Sequence, residues 1–114
     1  MRIGKSILNN LRFLTAEVGS QVTNLQVFFA TPSITVAQRV LDRSGYAYNL
    51  KMRIQNSCLN DPLRGKAAAT DSLTLRAMES IATDLERIAE LCRDCSHQMG
   101  YLQNRRFLKE DVYA

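Results

Sequence analysis

The stretch Thr83-Asp84-Leu85-Glu86-Arg87-Ile88-Ala89-Glu90-Leu91 decides the fold of this chain. Leu85, Ile88 and Cys92 recur at steps of three and four residues, which is the spacing of one helical face. Three further apolar residues widen this stripe: Ala82, Ala89 and Leu91. Asp84 lies outside it. The pattern predicts a helix with one buried face and one charged face.

Two carboxylates on this helix give the sequence its one indication of chemistry. Glu86 and Glu90 are one turn apart, so their Cβ atoms are expected about 6 Å from each other. Like charges at this distance repel unless water, a basic side chain or a cation lies between them. The ordinary interpretation is a solvated face with local ion pairs to Arg87 and Arg93. The alternative is a metal site, in which a second helix supplies further oxygens.

Composition restricts the class of protein. The chain has 114 residues, which fits one domain, and 46% of them are hydrophobic, which is enough for a core. The 15 basic residues are spread among 11 acidic ones, so no basic stripe favours nucleic-acid binding. The charged start Met1–Ser6 predicts neither a signal peptide nor a membrane span. Three cysteines are then expected to be reduced in a cytoplasmic protein.

Two helices are predicted before the deciding stretch. The first helix runs from Gly4 to Phe29. Apolar residues at steps of three and four predict its buried stripe: Ile7, Leu11, Leu14, Val18, Val22, Leu25 and Phe28 or Phe29. Its other faces carry polar residues: Arg12, Glu17, Gln21 and Gln26. The second runs from Pro32 to Leu59, capped by Thr31, with Val36, Val40, Ala47, Leu50, Ile54 and Cys58 inward. Gly45 is expected to mark a close helix contact or a bend.

A third helix is predicted after the loop at 60–66, from Lys66 or an Asp71 cap to Leu102. Its inward residues are Leu75, Met78, Ala82, Leu85, Ala89, Cys92 and Met99, and Ser96 interrupts them. Short connections between long helices favour antiparallel neighbours. The sequence therefore predicts an all-α, up-down-up three-helix bundle over residues 1–103, followed by a tail at 104–114.

Two other groups near the end of the third helix contain residues that could form a site. Cys92, Cys95 and His97 are too few for a structural zinc site and lack the spacing of a haem attachment motif, so a core or partly buried role is favoured for the cysteines. His97, the sole histidine, suggests a histidine phosphotransfer protein. The Gln98-Met99-Gly100 that follows it lacks the lysine expected to hold a phosphoryl donor. No catalytic constellation is found, and the chain is not predicted to be an enzyme.

Residues 81–91 resemble the third-helix signature of the PhoU family of phosphate uptake regulators. Asp84, Leu85, Glu86, Arg87 and Ile88 match that signature, whereas Ala89 and Glu90 replace its usual glycine and aspartate. The resemblance implies three-helix repeats and a metal site at Glu86 and Glu90, with Asp84 nearby. The acidic places of the family's second helix fall near Ser44 and Tyr48, which are poor anionic ligands.

The resemblance also implies a function. It predicts a cytoplasmic regulator that couples a phosphate transporter subunit, or its sensor histidine kinase, to phosphate supply, with iron or another divalent or trivalent metal as the expected cofactor. The chain is expected to be peripheral at most to a membrane and to form a homo-oligomer, a dimer, because Tyr46, Tyr48 and Phe107 are expected at its surface. The alternatives are a helical oligomerisation or adaptor module with no phosphate role, and phosphotransfer through His97.

Overall fold

The computed structural model describes residues 4–43, 45–61 and 69–104, with side chains described at 4–43, 45–61 and 72–98. These residues form four α-helices: α1 (Lys5–Ala30), α2 (Ile34–Asp42), α3 (Tyr46–Leu59) and α4 (Ala69–Asn104). No strand occurs in the described ranges. α1 and α4 contact each other and both of the shorter helices. The all-α prediction is confirmed, and the contacts are those of a helical bundle.

The core lies where α1, α3 and α4 meet. Its buried apolar residues include most of the predicted stripes: Ile7, Leu14, Val18, Ala47, Leu50, Ile54, Cys58, Leu75, Ala82 and Ala89. Leu11, Val22, Met78 and Leu85 pack against this cluster while remaining partly exposed. At the end of α1, Phe28 is buried and Phe29 is 55% exposed. The side chain of Met99 lies outside the described residues.

The prediction of one continuous helix from Pro32 to Leu59 is wrong. The backbone of Gly45 has φ 92° and ψ −20°, which is the left-handed conformation, and it divides this part of the chain into α2 and α3. Side chains with a Cβ rarely adopt this conformation, whereas glycine does so without a steric penalty. Where a close helix contact or a bend was expected at Gly45, the structure has a break between two helices.

We expect Gly45→Ala to lower the free energy of unfolding by about 1–2 kcal/mol, because alanine pays the left-handed backbone penalty. No heavy atom lies within 4 Å of a Cβ built at Gly45, so this cost is conformational and not steric. Urea titration followed by circular dichroism measures it. Gly19→Ala is the matched control, because Gly19 lies exposed within α1, also with open space at its Cβ. We expect that control to raise stability by about 0.5–1 kcal/mol. Equal effects of the two substitutions on stability would contradict the left-handed backbone conformation of Gly45.

The helix boundaries also differ in detail from the prediction. Ser33, not Thr31, is the N-cap of α2, and its Oγ accepts a hydrogen bond of 3.1 Å from the backbone N–H of Val36. Thr31 instead closes α1, where its own N–H donates to the carbonyl of Val27. α4 is described from Ala69 onward, so the predicted start at Lys66 lies outside the described residues. Most of the predicted loop, Ser44, and the tail with Phe107 lie outside the described residues.

Candidate functional site

The candidate site lies on α4, whose position is fixed by small residues on its inner face. Ala82 and Ala89 are fully or almost fully buried, two turns apart, and Leu85 between them packs against the core while half-buried. Both alanines belong to the buried cluster that α4 shares with α1 and α3. The predicted stripe is only partly right, because Ile88 and Leu91 are 42% and 50% exposed.

The two acidic residues of the predicted metal site share one side of α4. Glu86 and Glu90 are both half-buried at the margin of the packed face, and Glu79 precedes Glu86 by seven residues on the same side. Asp84 is exposed and lies about 200° around the helix axis from Glu86, since each residue of a helix turns about 100°. The structure therefore brings Glu86 and Glu90 together and leaves Asp84 on a different side.

The surface of α4 that adjoins α3 is polar. The Gln55 side-chain amide on α3 donates a hydrogen bond of 2.9 Å to Oγ1 of Thr83 on α4. Thr83 in turn donates to the backbone carbonyl of Glu79, at 3.0 Å. These groups line a shallow depression whose other lining residues are Arg76, Ser80 and Asp84. In the described part of the chain, no group of three or more His, Cys, Asp or Glu residues comes together as a metal site would require.

A second polar cluster, which sequence reasoning missed, joins α1 to the end of α2. Glu17 and Gln21 were predicted to face solvent, and this prediction is wrong: they are only 6% and 3% exposed. The Glu17 carboxylate accepts a 2.7 Å hydrogen bond from Nη2 of Arg43, contacts of 3.2 Å from Nε, and a 2.9 Å bond from the Gln21 amide. The Arg43 guanidinium also lies 4.5 Å from the ring centroid of Tyr46.

The opposite charges of Glu17 and Arg43 stabilise each other in this cluster. Hydrogen bonding and charge attraction from Glu17 raise the pKa of Arg43 above its ordinary value. The Arg43 side chain is half exposed, whereas the Glu17 side chain is buried, so water reaches only the arginine of this pair. The sequence does hold a signal for it, since Glu17 and Gln21 follow Leu14 at steps of three and seven residues on the buried side of α1. The cluster fixes the end of α2 against the middle of α1.

The cysteines do not form a common site. Cys58 and Cys92 are buried, Cys95 is exposed, and all three are free thiols. Burial raises the pKa of the Cys92 thiol, and the neighbouring Cys95 adds to this increase. One turn after Cys92, Ser96 is fully buried, and its hydroxyl oxygen has no hydrogen-bond partner among the described groups. His97 is exposed near the end of α4.

We expect iodoacetamide to modify Cys95 well before Cys92 in dilute protein near neutral pH. The thiolate is the reactive form, and Cys92 is both buried and less ionised. Mass spectrometric peptide mapping over time gives the two rates, which we expect to differ by at least about tenfold. A Cys95→Ser variant should lose the fast phase and keep the slow one. Modification of Cys92 at the rate of Cys95 would contradict the burial described above.

Comparison with known proteins adds one finding. A family model described as the PhoU domain matches residues 11–99, which cover most of α1, all of α2 and α3, and most of α4. No curated protein and no solved structure matches the chain. The stretch Thr83–Leu91 lies inside the matched range, and the resemblance drawn from it is confirmed.

Proposed function

Since the chain belongs to the PhoU domain family, we propose that it is a non-enzymatic cytoplasmic regulator that couples phosphate transport or phosphate signalling to phosphate supply. Its partner in this proposal is a phosphate transporter subunit or the sensor histidine kinase of the phosphate response. The observation that carries the proposal is the family match over residues 11–99. In the described ranges, every helix is too short or too polar to cross a membrane.

Protein contacts are the proposed mode of action. Large apolar side chains remain at the surface of all four helices, among them Phe13, Ile34, Tyr48 and Leu91. Exposed apolar residues that lie together mark interaction surfaces more often than single ones do. In our proposal α2 and α3 together form the middle arm of an up-down-up bundle, and the chain self-associates as a dimer. No step of this mechanism requires a catalytic group.

The experiment is capture of partners by the purified full chain from cells grown with limiting and with abundant phosphate. We expect a phosphate transporter subunit or a sensor histidine kinase to be enriched over an unrelated helical bundle used as matched bait. We also expect the amount captured to differ between the two phosphate conditions. Equal recovery on both baits would overturn the proposal. Label from acetyl phosphate that the wild type keeps and a His97→Ala variant loses would favour phosphotransfer instead.

A metal ion forms a further, separate part of the proposal. Glu86 and Glu90 offer up to four carboxylate oxygens on one side of α4, whereas a hard cation takes six to eight. Asp84 points elsewhere, so the described residues do not by themselves fit a closed metal centre. The proposed ion, iron or another divalent or trivalent cation, would be held by Glu86 and Glu90 with water or oxygens from another molecule.

Metal analysis of purified protein tests this part. We expect more bound metal in the wild type than in a Glu86→Gln, Glu90→Gln double variant, because the amides keep the shape of the side chains and remove their charge. An Asp84→Asn variant is the matched control for the third predicted ligand. Equal metal content in the wild type and the double variant would remove the metal from the proposal.

A further inference from the structure

A second apolar stripe runs along the outside of α4. Six residues at alternating steps of four and three form what we call the α4 ridge: Ala77, Ile81, Asp84, Ile88, Leu91 and Cys95. All six are exposed, with Ile81 at 43%, Ile88 at 42% and Leu91 at 50%. The ridge is separate from the inner face of Ala82 and Ala89, which packs against α1 and α3. Apart from Asp84, it is therefore an apolar surface that the described chain leaves partly exposed.

The spacing of the ridge is that of a coiled-coil seam. Steps of four and three residues keep side chains on one line when two helices wind around each other, and each apolar side chain inserts between those of the facing helix. The seam from Ala77 to Cys95 is about 27 Å long at about 1.5 Å per residue. A second α4 carries the same seam, so a copy of this chain offers a matching surface.

We propose that a second copy of this chain covers the α4 ridge, with the two α4 helices antiparallel and Ile88 of each copy packed on Leu91 of the other. This inference deepens the self-association in the proposed function and rests on it. The contact is symmetric about a two-fold axis, so each residue pair occurs twice, as in most homodimers. It also places Asp84 opposite the thiol of the second copy's Cys95.

Charge complementarity selects this register. Arg87 and Asp94 are exposed and flank the ridge on the same side, seven residues apart. When Ile88 faces the second copy's Leu91, antiparallel geometry brings Arg87 beside the second copy's Asp94 on both sides of the axis. Sliding one helix by a heptad in either direction places Arg87 against Arg87 or Asp94 against Asp94. A parallel pairing in register would place Asp84 against Asp84 inside the seam.

Sedimentation equilibrium of the purified full chain tests the surface. We expect the wild type to have twice the 12.9 kDa chain mass, and Ile88→Lys with Leu91→Lys to weaken the dimer by at least about 100-fold. Phe13→Lys is the matched control, because Phe13 is 55% exposed on α1 and lies outside the ridge. Circular dichroism confirms that each variant is helical. A monomeric wild type, or a dimer that the ridge variant leaves intact, would overturn the proposal.

A charge exchange tests the register. Arg87→Asp and Asp94→Arg should each weaken the dimer by about tenfold, because each creates two like-charge pairs across the interface. The variant carrying both changes should regain wild-type affinity. A short bismaleimide should also link a cysteine introduced by Asp84→Cys to the second copy's Cys95, whereas Phe13→Cys should give no such link. Absence of charge rescue, or of the cross-link, would overturn the antiparallel register.

These measurements are separable from the test of the proposed function. They use purified protein without phosphate, transporter or kinase, so their outcome does not depend on the partner capture experiment. A monomer would remove the dimer and leave the regulator proposal to be decided by capture. A ridge dimer that captures no phosphate-related partner would support the inference and overturn the regulatory role.

Discussion

Leu50→Ala is expected to lower the free energy of unfolding by about 2–5 kcal/mol, which is the range for removing a buried leucine side chain. Leu50 is 1% exposed and belongs to the cluster that joins α3 to α1 and α4. The substitution leaves a cavity that helices held by several other contacts cannot fully close. Urea titration at a fixed protein concentration measures the loss, because self-association would make stability depend on concentration.

Leu59→Ala is the matched control for this prediction. It makes the same chemical change in the same helix, but Leu59 is 61% exposed at the last residue of α3. We expect its effect to stay within about 0.5 kcal/mol. Losses of similar size at positions 50 and 59 would contradict the placement of the core on the Leu50 side of α3.

Glu17→Lys is expected to cost about 3 kcal/mol or more, because it removes the buried partner of an ion pair and leaves a cation in its place. The new ammonium would face the Arg43 guanidinium and the Gln21 amide, which are both hydrogen-bond donors in the present arrangement. The same urea titration measures this loss. Melting of the helices at lower denaturant than the wild type is the expected result.

Two variants make this result specific to the ion pair. Gln26→Lys adds a lysine to an exposed position of the same helix and should change stability by no more than about 0.5 kcal/mol. Adding Arg43→Glu to Glu17→Lys restores opposite charges with their positions exchanged, and should recover part of the loss. Recovery should be incomplete because an ammonium lacks the two-pronged geometry of guanidinium. A further loss on adding Arg43→Glu would contradict the pair.

The parts of the fold that depend on apolar spacing were predictable from the sequence. α1 begins and ends within one residue of the predicted positions, and the inward residues Ala47, Leu50, Ile54 and Cys58 are all buried. The family was also predictable, because the stretch Thr83–Leu91 keeps five signature residues. The break at Gly45 was harder, since a glycine inside a continuous apolar pattern fits either a helix or its end.

The polar cluster of Glu17, Gln21 and Arg43 was not predictable from residue type. A glutamate is usually exposed unless it is paired, and the partner of Glu17 is 26 residues away on another helix. Position along α1 carried the information, because residue 17 continues the line of Leu14 toward the core. Residue type and helical position gave opposite answers, and only the tertiary contact with Arg43 decides between them.

The apolar stripe predicted on α4 was too wide. Ile88 and Leu91 are apolar and lie near the correct spacing, so the sequence grouped them with Ala82 and Ala89 in one wide stripe. In the structure the alanines occupy the packed face, and the larger residues lie beside it at the surface. Periodicity cannot separate two adjacent apolar stripes on one helix.

The break at Gly45 has a consequence for how the native protein fluctuates. It leaves α2 with nine residues, fewer than the twelve to fifteen or so that an isolated helix needs to persist in water. α2 therefore depends on its docking through Ala37 and Val40, which are its two buried residues. Its amide protons should exchange with deuterium through local opening, earlier than those of α3, while the rest of the bundle stays folded.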